Sequence, residues 1–143
     1  MSYIYLIRHG KPELPGNLTY CIGRDSDPHL SADGRKQARA LAGCFDGLTF
    51  NRVYCSTLSR SRETAELLAH GRWPVYEHAG IHEISVGLWE GLSFDEIRAK
   101  YPDIYAARGE DWAVYPPGGE SLKEAADRME KAIREIADEE AAN

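Results

Sequence analysis

Tyr3-Ile4-Tyr5-Leu6-Ile7-Arg8-His9-Gly10 is the stretch on which the rest of the reading turns. Five apolar, strand-favouring residues run without a polar break and stop at a charged triplet. A continuous apolar run of this length reads as a strand buried on both faces, the pattern of a parallel sheet. Ligands of open α/β sheets bind outside the carboxyl ends of the strands, which is where Arg8-His9-Gly10 falls. The arginine offers a two-pronged fork for an oxyanion, and the glycine lets the backbone turn sharply. The histidine offers a neutral ring nitrogen as nucleophile or base. A strand-end histidine in a plain turn hydrogen bond would look the same, and such a triplet arises by chance in a chain this long on the order of once in a hundred.

The segments that follow alternate between helix and strand signals. Lys11 to Leu30 is rich in Pro, Gly, Asn and Asp and reads as a long loop, a length that usually serves function. Ser31 can cap a helix through Ala42, with Gly43 as its stop. Arg52 to Ser56 reads as a second strand, followed by a helix to about Ala69 that ends at His70-Gly71. Pro74 to Glu77 reads as a third, weaker strand. Ser93-x-x-Glu96 and Ser121-x-x-Glu124 are capping boxes, each opening a helix. Pro102 ends or restarts a helix, and Pro116-Pro117-Gly118-Gly119 is a break. The last helix places Leu122, Ala125, Met129, Ile133 and Ile136 on one face, with Glu124–Arg128, Asp127–Lys131 and Glu130–Arg134 as i,i+4 pairs. The alternation argues an α/β fold with a largely parallel sheet and a single domain over residues 1–143.

Composition narrows the function classes. The chain has 143 residues, 43% hydrophobic and 28% charged, which is globular and excludes a disordered, collagen-like or disulfide-framework protein. Residues 1–109 hold 13 acidic and 13 basic side chains; the segment from Glu110 onward holds 10 acids against Lys123, Arg128, Lys131 and Arg134, which accounts for the net charge of −6. With no basic stripe, nucleic acid is not an expected partner, and Trp73, Trp89 and Trp112 read as core or pocket wall. Cys21, Cys44 and Cys55 form no C-x-x-C pair and read as core fillers of a reduced compartment. The apolar start is too short for a signal peptide, and no run approaches the roughly 18 apolar residues of a membrane span. A cytoplasmic protein with no membrane partner is the expectation.

Two further segments carry chemistry. Ser56-Thr57-Leu58-Ser59-Arg60-Ser61-Arg62-Glu63-Thr64-Ala65 lies where the second strand turns into a helix, and delivers Arg60, with Arg62 a weaker candidate, to the same sheet edge. Basic residues in a first helical turn oppose the macrodipole, so an anionic ligand accounts for them better than a solvated face does. Glu83, in His82-Glu83-Ile84-Ser85-Val86-Gly87-Leu88-Trp89-Glu90-Gly91, would be pushed toward its protonated form by desolvation and nearby anionic oxygens. That suits a general acid for a leaving alkoxide. Glu90 stays open between a place in the site and a structural one, closing a turn with Gly91.

Taken in order, R-H-G, then G-x-x-x-D-P-x-L-S-x-x-G-x-x-Q-A from Gly23 to Ala38, S-x-L-x-R-x-x-x-T-A, E-x-x-x-G-x-W-E-G and P-P-G-G-E-S resemble the histidine phosphatase superfamily. The resemblance runs from Tyr3 to the last helix. It implies a three-layer, mostly parallel sheet flanked by helices, phosphoglycerate mutase-like, here lacking the C-terminal strands. It implies that His9 attacks phosphorus to give a phosphohistidine, that Arg8 and Arg60 hold the equatorial oxygens, and that Glu83 protonates the leaving group and then activates water. No cofactor and no metal are implied, and the substrate is a small phosphorylated molecule. Asn17 lies near the family's phosphate-contacting loop asparagine, Gly23 matches its loop glycine, and His82 lines the pocket. Arg98, Lys100 or Arg108 would meet the non-phosphate part of the substrate. The R-H-G-K-P opening and the C-I-G-R-D loop are closer to the α-ribazole-phosphatase-like branch than to the mutases, favouring hydrolysis over mutase-type transfer.

One element of the pattern is missing. The family carries a second catalytic histidine in an H-G pair after a strand beyond the P-P-G-G-E-S helix, and the chain stops at Asn143. His70-Gly71 follows a helical pattern and does not replace it. The expectations are therefore a truncated product of a longer chain, or a homo-oligomer or strand exchange that completes the sheet. The functional alternative is a phosphate-binding pseudoenzyme or fragment.

Overall fold

A computed structural model describes residues 3–16 and 19–142. The chain parts into two compact units: Met1–Glu13 with Pro28–Glu77, and Leu14–Asp27 with His78–Asn143.

The first unit is built on a strand–helix–strand. Helix α1 (Ala32–Gly43) precedes it; then come β1 (Val53–Cys55), α2 (Ser59–Ala69) and β2 (Val75–Glu77). The two strands pair in parallel with Val53 opposite Val75, Tyr54 opposite Tyr76 and Cys55 opposite Glu77, so the expected parallel α/β arrangement is present. Helix α1 starts where the cap signal put it, with Ser31 Oγ accepting the Gly34 amide at 3.0 Å. Its stop differs. Gly43 is the last helical residue, and the chain leaves through Cys44 in right-handed geometry. Successive tight turns follow, including Phe45 N–H to the Ala42 carbonyl at 3.1 Å. Those turns seat Phe45 beside Leu68, Ala69 and Trp73 in the core of this unit. Edge-to-face contacts of Phe50 with Phe45 and with Trp73 complete it. Helix α2 ends as expected, on a left-handed His70 (φ 46°) followed by Gly71 (φ 72°).

Tyr3 to Ile7 departs from the expectation of a doubly buried strand. These residues form no assigned strand and all five are exposed, Tyr3 and Leu6 at 75%. A buried parallel strand needs a paired neighbour along each edge, and among the described residues only β1 and β2 form a named ladder. Tyr5 alone finds an aromatic seat, edge-on to Phe45 and Phe50.

The second unit is helical. Single 3-10 turns at Ala79–Ile81 and Gly87–Trp89 lead into α3 (Phe94–Lys100), α4 (Pro102–Glu110) and α5 (Leu122–Ala142). Both capping boxes form. Ser93 Oγ takes the Glu96 amide while the Glu96 carboxylate takes the Ser93 amide, and Ser121 and Glu124 exchange the same pair of bonds. Pro102 opens α4 in its first turn. Cys21, Val86, Trp89 and Ile97 form the core, with Tyr101 and Tyr105 packed against it. The loop supplies Cys21, and a bridge between Tyr20 and Ser93 ties the loop down.

Three readings of this unit change. Leu122 is exposed, and Ala132 is the buried residue of α5, although Ala125, Met129, Ile133 and Ile136 are half-buried as the periodicity implied. Trp112 is 69% exposed, which removes the core half of its core-or-pocket-wall reading. Of the α5 ion pairs Glu130–Arg134 forms, but Asp127 pairs with Lys123 and Arg128 with Glu120. The capping box explains the last change, since it occupies the Glu124 carboxylate with the Ser121 amide. In the first unit, Cys44 is exposed while Cys55 is buried. Among the described residues no helix is long and apolar enough to cross a membrane.

Candidate active site

The chemistry-bearing residues fall into two sets, one in each unit. The first is Arg8, His9 and Arg60. The Gly10 amide donates to Thr64 Oγ1 at 3.0 Å, and the Thr64 hydroxyl donates to the Arg60 carbonyl at 2.7 Å. One threonine therefore ties the R-H-G turn to the first turn of α2. Gly10 is buried, and a Cβ there would meet the Gly34 carbonyl oxygen at 2.6 Å, so only glycine lets the turn lie against α1. His9 is half-buried, and its Nδ1 lies 2.7 Å from the Gly10 carbonyl oxygen. A carbonyl can only accept, so Nδ1 carries a proton, and in the neutral ring the lone pair is then on Nε2. That tautomer is the one a nucleophile at Nε2 requires.

Arg8 is exposed, whereas Arg60 is 1% exposed and among the largest fully buried side chains. A permanently charged guanidinium at that depth must be satisfied by hydrogen bonds or opposite charge. Arg62, the weaker candidate, forms an ion pair with Glu77 at the end of β2. Glu63 is a residue the motif reading passed over. Its carboxylate receives the Leu30 amide at 3.3 Å, contacts His29 Nδ1 at 2.6 Å and pairs with Arg35 at 2.9 Å. Partial burial raises its pKa, but bonds to His29, Leu30 and Arg35 outweigh that and hold it below the usual carboxylate range. Glu63 thus pins the return of the loop onto α1 and α2.

The second set is Gly23, His82 and Glu83. The Glu83 side chain is half-buried, and its Oε1 accepts the Ile84 amide at 3.0 Å. His82 closes the 3-10 turn just before it. The Ile84 carbonyl accepts the Arg24 amide at 3.0 Å, which lays the C-I-G-R-D loop against the residue after Glu83. A Cβ on Gly23 would meet that same carbonyl oxygen at 2.5 Å. The Gly23 amide donates to Glu90 Oε1 at 2.8 Å, so Glu90 anchors the loop. Asn17 lies outside the described residues.

The segment around Glu83 is braced from α5. Ser85 exchanges bonds with Glu120: its amide donates to Oε2 at 3.1 Å and its carbonyl accepts the Glu120 amide at 2.8 Å. Arg128 grips the same carboxylate with two prongs, and the bond from its guanidinium holds the Glu120 pKa below the ordinary value. Neither Glu120 nor Arg128 was assigned a site role from spacing, although Glu120 stands inside the P-P-G-G-E-S motif. Arg98 is paired with Asp95 and lies 5.7 Å over the Tyr105 ring, and Arg108 lies 5.7 Å over Trp89. Among the described residues no group of three His, Cys, Asp or Glu side chains is arranged to hold a metal ion.

Comparison with known proteins agrees with this arrangement of motifs. The family model of the histidine phosphatase superfamily (branch 1) matches residues 4–143. Over 136 residues the chain is 38% identical to 6-phosphofructo-2-kinase/fructose-2,6-bisphosphatase 1 of Rattus norvegicus, covering 93% of this chain and 27% of that protein. Among solved structures, Bacillus stearothermophilus YhfR superposes with a TM-score of 0.84 at 30% identity, covering 92% of this chain and 65% of that one. The α-ribazole phosphatase of Shigella flexneri superposes with a TM-score of 0.80 at 28% identity, covering 94% and 67%. The chain thus spans about a quarter of the curated relative and about two thirds of the solved structures. Its fold is that of the phosphoglycerate mutase-like phosphatases, and the chain belongs to branch 1 of the histidine phosphatase superfamily.

Proposed function

We propose that this chain hydrolyses a small phosphomonoester through a phosphohistidine formed on His9. The observation that carries the reading is the His9 ring contact: Nδ1–H donates to the Gly10 carbonyl at 2.7 Å, which in the neutral ring puts the lone pair on Nε2. In the first step Nε2 attacks phosphorus, the bond from phosphorus to the ester oxygen breaks, and Glu83 gives that oxygen its proton. In the second, water attacks the phosphoryl group, the phosphorus–nitrogen bond breaks, and Glu83 takes the proton back. Alcohol and inorganic phosphate leave, and His9 is restored. Arg8 and Arg60 neutralise charge on the equatorial oxygens in both steps. His82 and Gly23 shape the wall beside Glu83.

The test is turnover of p-nitrophenyl phosphate by the 143-residue chain in excess EDTA, with His9→Ala alongside. Turnover that disappears in the variant is the expected result. No turnover, with inorganic phosphate still binding in an Arg60-dependent way, would support the alternative of a phosphate-binding protein without catalysis.

A further inference from the structure

We propose that Arg128 is the positioning residue for Glu83, holding the segment that carries the proton donor in place from both sides. The inference rests on the reading of Glu83 as that donor. Four of the five guanidinium N–H donors of Arg128 are committed. Nε donates to Glu120 Oε1 at 2.8 Å and Nη2 to Oε2 at 3.0 Å. Nη1 donates to the Gly80 carbonyl at 2.8 Å and the His82 carbonyl at 2.9 Å. The second pair fixes the backbone immediately before Glu83. The first pair fixes Glu120, which bonds Ser85 through both its backbone and its carboxylate and so fixes the backbone two residues after Glu83.

The arrangement is packed as well as bonded. A Cβ on Gly80 would lie 2.5 Å from Ala132 Cβ, so the turn before Glu83 sits directly on the one buried residue of α5. Arg128 and Glu120 are themselves mostly buried, with side-chain exposures of 24% and 14%, where a charge-assisted fork is strong and geometrically selective. A lysine could keep the charge opposite Glu120 but could not make the fork and the two carbonyl bonds together. Glu83 Oε1 itself accepts the amide of Ile84, inside the segment that these bonds hold.

Two readouts test this on Arg128→Lys and, as a second variant, Glu120→Gln. The first compares kcat/KM for p-nitrophenyl phosphate, whose leaving group needs little protonation, with that for glycerol 2-phosphate, whose alkoxide needs it. A displaced proton donor lowers the alkyl substrate by roughly 10- to 100-fold more than the aryl one, part of the about 10²–10⁴-fold that general acid catalysis supplies. The same selective loss is absent when Arg128→Lys is made on a Glu83→Gln background. The second readout is the Ile84 amide resonance, whose pH titration follows the Glu83 carboxylate it bonds and requires no turnover. The variants are expected to shift that resonance and its titration. Equal loss on both substrates, or an unchanged Ile84 titration, would overturn the proposal. So would failure of both variants to fold, since Arg128 would then hold the unit together rather than place Glu83. If the unaltered chain turns over neither substrate, the hydrolase reading falls, and the Ile84 titration still decides where Arg128 acts.

Discussion

The Gly10 amide and the Thr64 hydroxyl lie 3.0 Å apart, and through that bond the turn bearing His9 is fastened to the helix bearing Arg60. Both partners are buried. Thr64→Val keeps the shape and strands the amide without an acceptor, which costs about 1–3 kcal/mol. Urea denaturation of Thr64→Val beside Thr64→Ser measures it, with the serine variant expected close to the parent. A loss in Thr64→Ser with none in Thr64→Val would show that the methyl group, not the hydroxyl, does the fastening.

Gly23 has no room to grow. A Cβ would meet the Ile84 carbonyl oxygen at 2.5 Å, Glu90 Oε2 at 2.9 Å and Val86 Cγ2 at 3.0 Å. The first and tightest of these is backbone and cannot step aside as a flexible side chain could. Gly23→Ala should destabilise the chain by about 1–3 kcal/mol, read as a lower urea midpoint. An unchanged midpoint would mean that the loop does not rest on the Glu83 segment as closely as described.

Arg60 is buried and cationic, and its guanidinium is a proposed phosphate contact. Inorganic phosphate that binds the folded state raises the melting temperature by mass action. In Arg60→Met, which keeps the apolar length, this phosphate-dependent rise should vanish; in Arg8→Met it should shrink. A rise that persists undiminished in Arg60→Met would remove Arg60 from the phosphate site.

Glu120 makes stability depend on acid. The Arg128 bond comes first among the causes that lower its pKa, and the Ser85 amide adds to it. An unfolded chain therefore binds a proton at a pH where the folded chain does not, so stability rises with pH through this interval. The contribution is present above the ordinary value of 4.5 and lost as pH falls through the lower folded value. Glu120→Gln should flatten the acid limb of stability against pH without removing it, because Glu63 and Glu96 are also held low. Urea midpoints from neutral pH down through that region check this, and an acid limb of unchanged steepness would contradict it.

Features that depend on neighbours in sequence were legible before the structure. Ser93 and Ser121 cap as their spacing to Glu96 and Glu124 implies, and α2 ends at His70-Gly71, where the glycine tolerates the positive φ of a helix stop. Features that depend on distant partners were not. Tyr3 to Ile7 has the composition of a buried strand, but burial is decided by adjoining strands, which no local window contains. Arg128 stands four residues from Glu124 and eight from Glu120. The spacing rule picks the nearer carboxylate, while the structure gives that one to the Ser121 amide. The site follows the same division. His9, Arg60 and Glu83 stand out by type and context, whereas the parts played by Thr64, Glu90 and Arg128 exist only in the bonds they make across the fold.

The measurement that bears most directly on the account is the search for a phosphoryl group on His9 itself. The chain is mixed with p-nitrophenyl phosphate, quenched in alkali to preserve phosphoramidates, and examined by phosphorus NMR and peptide mass spectrometry. The account predicts an Nε2-phosphohistidine at His9 that forms within a turnover, decays with release of inorganic phosphate, and is absent from His9→Ala. Steady turnover with no such adduct, or turnover that survives in His9→Ala, would contradict it.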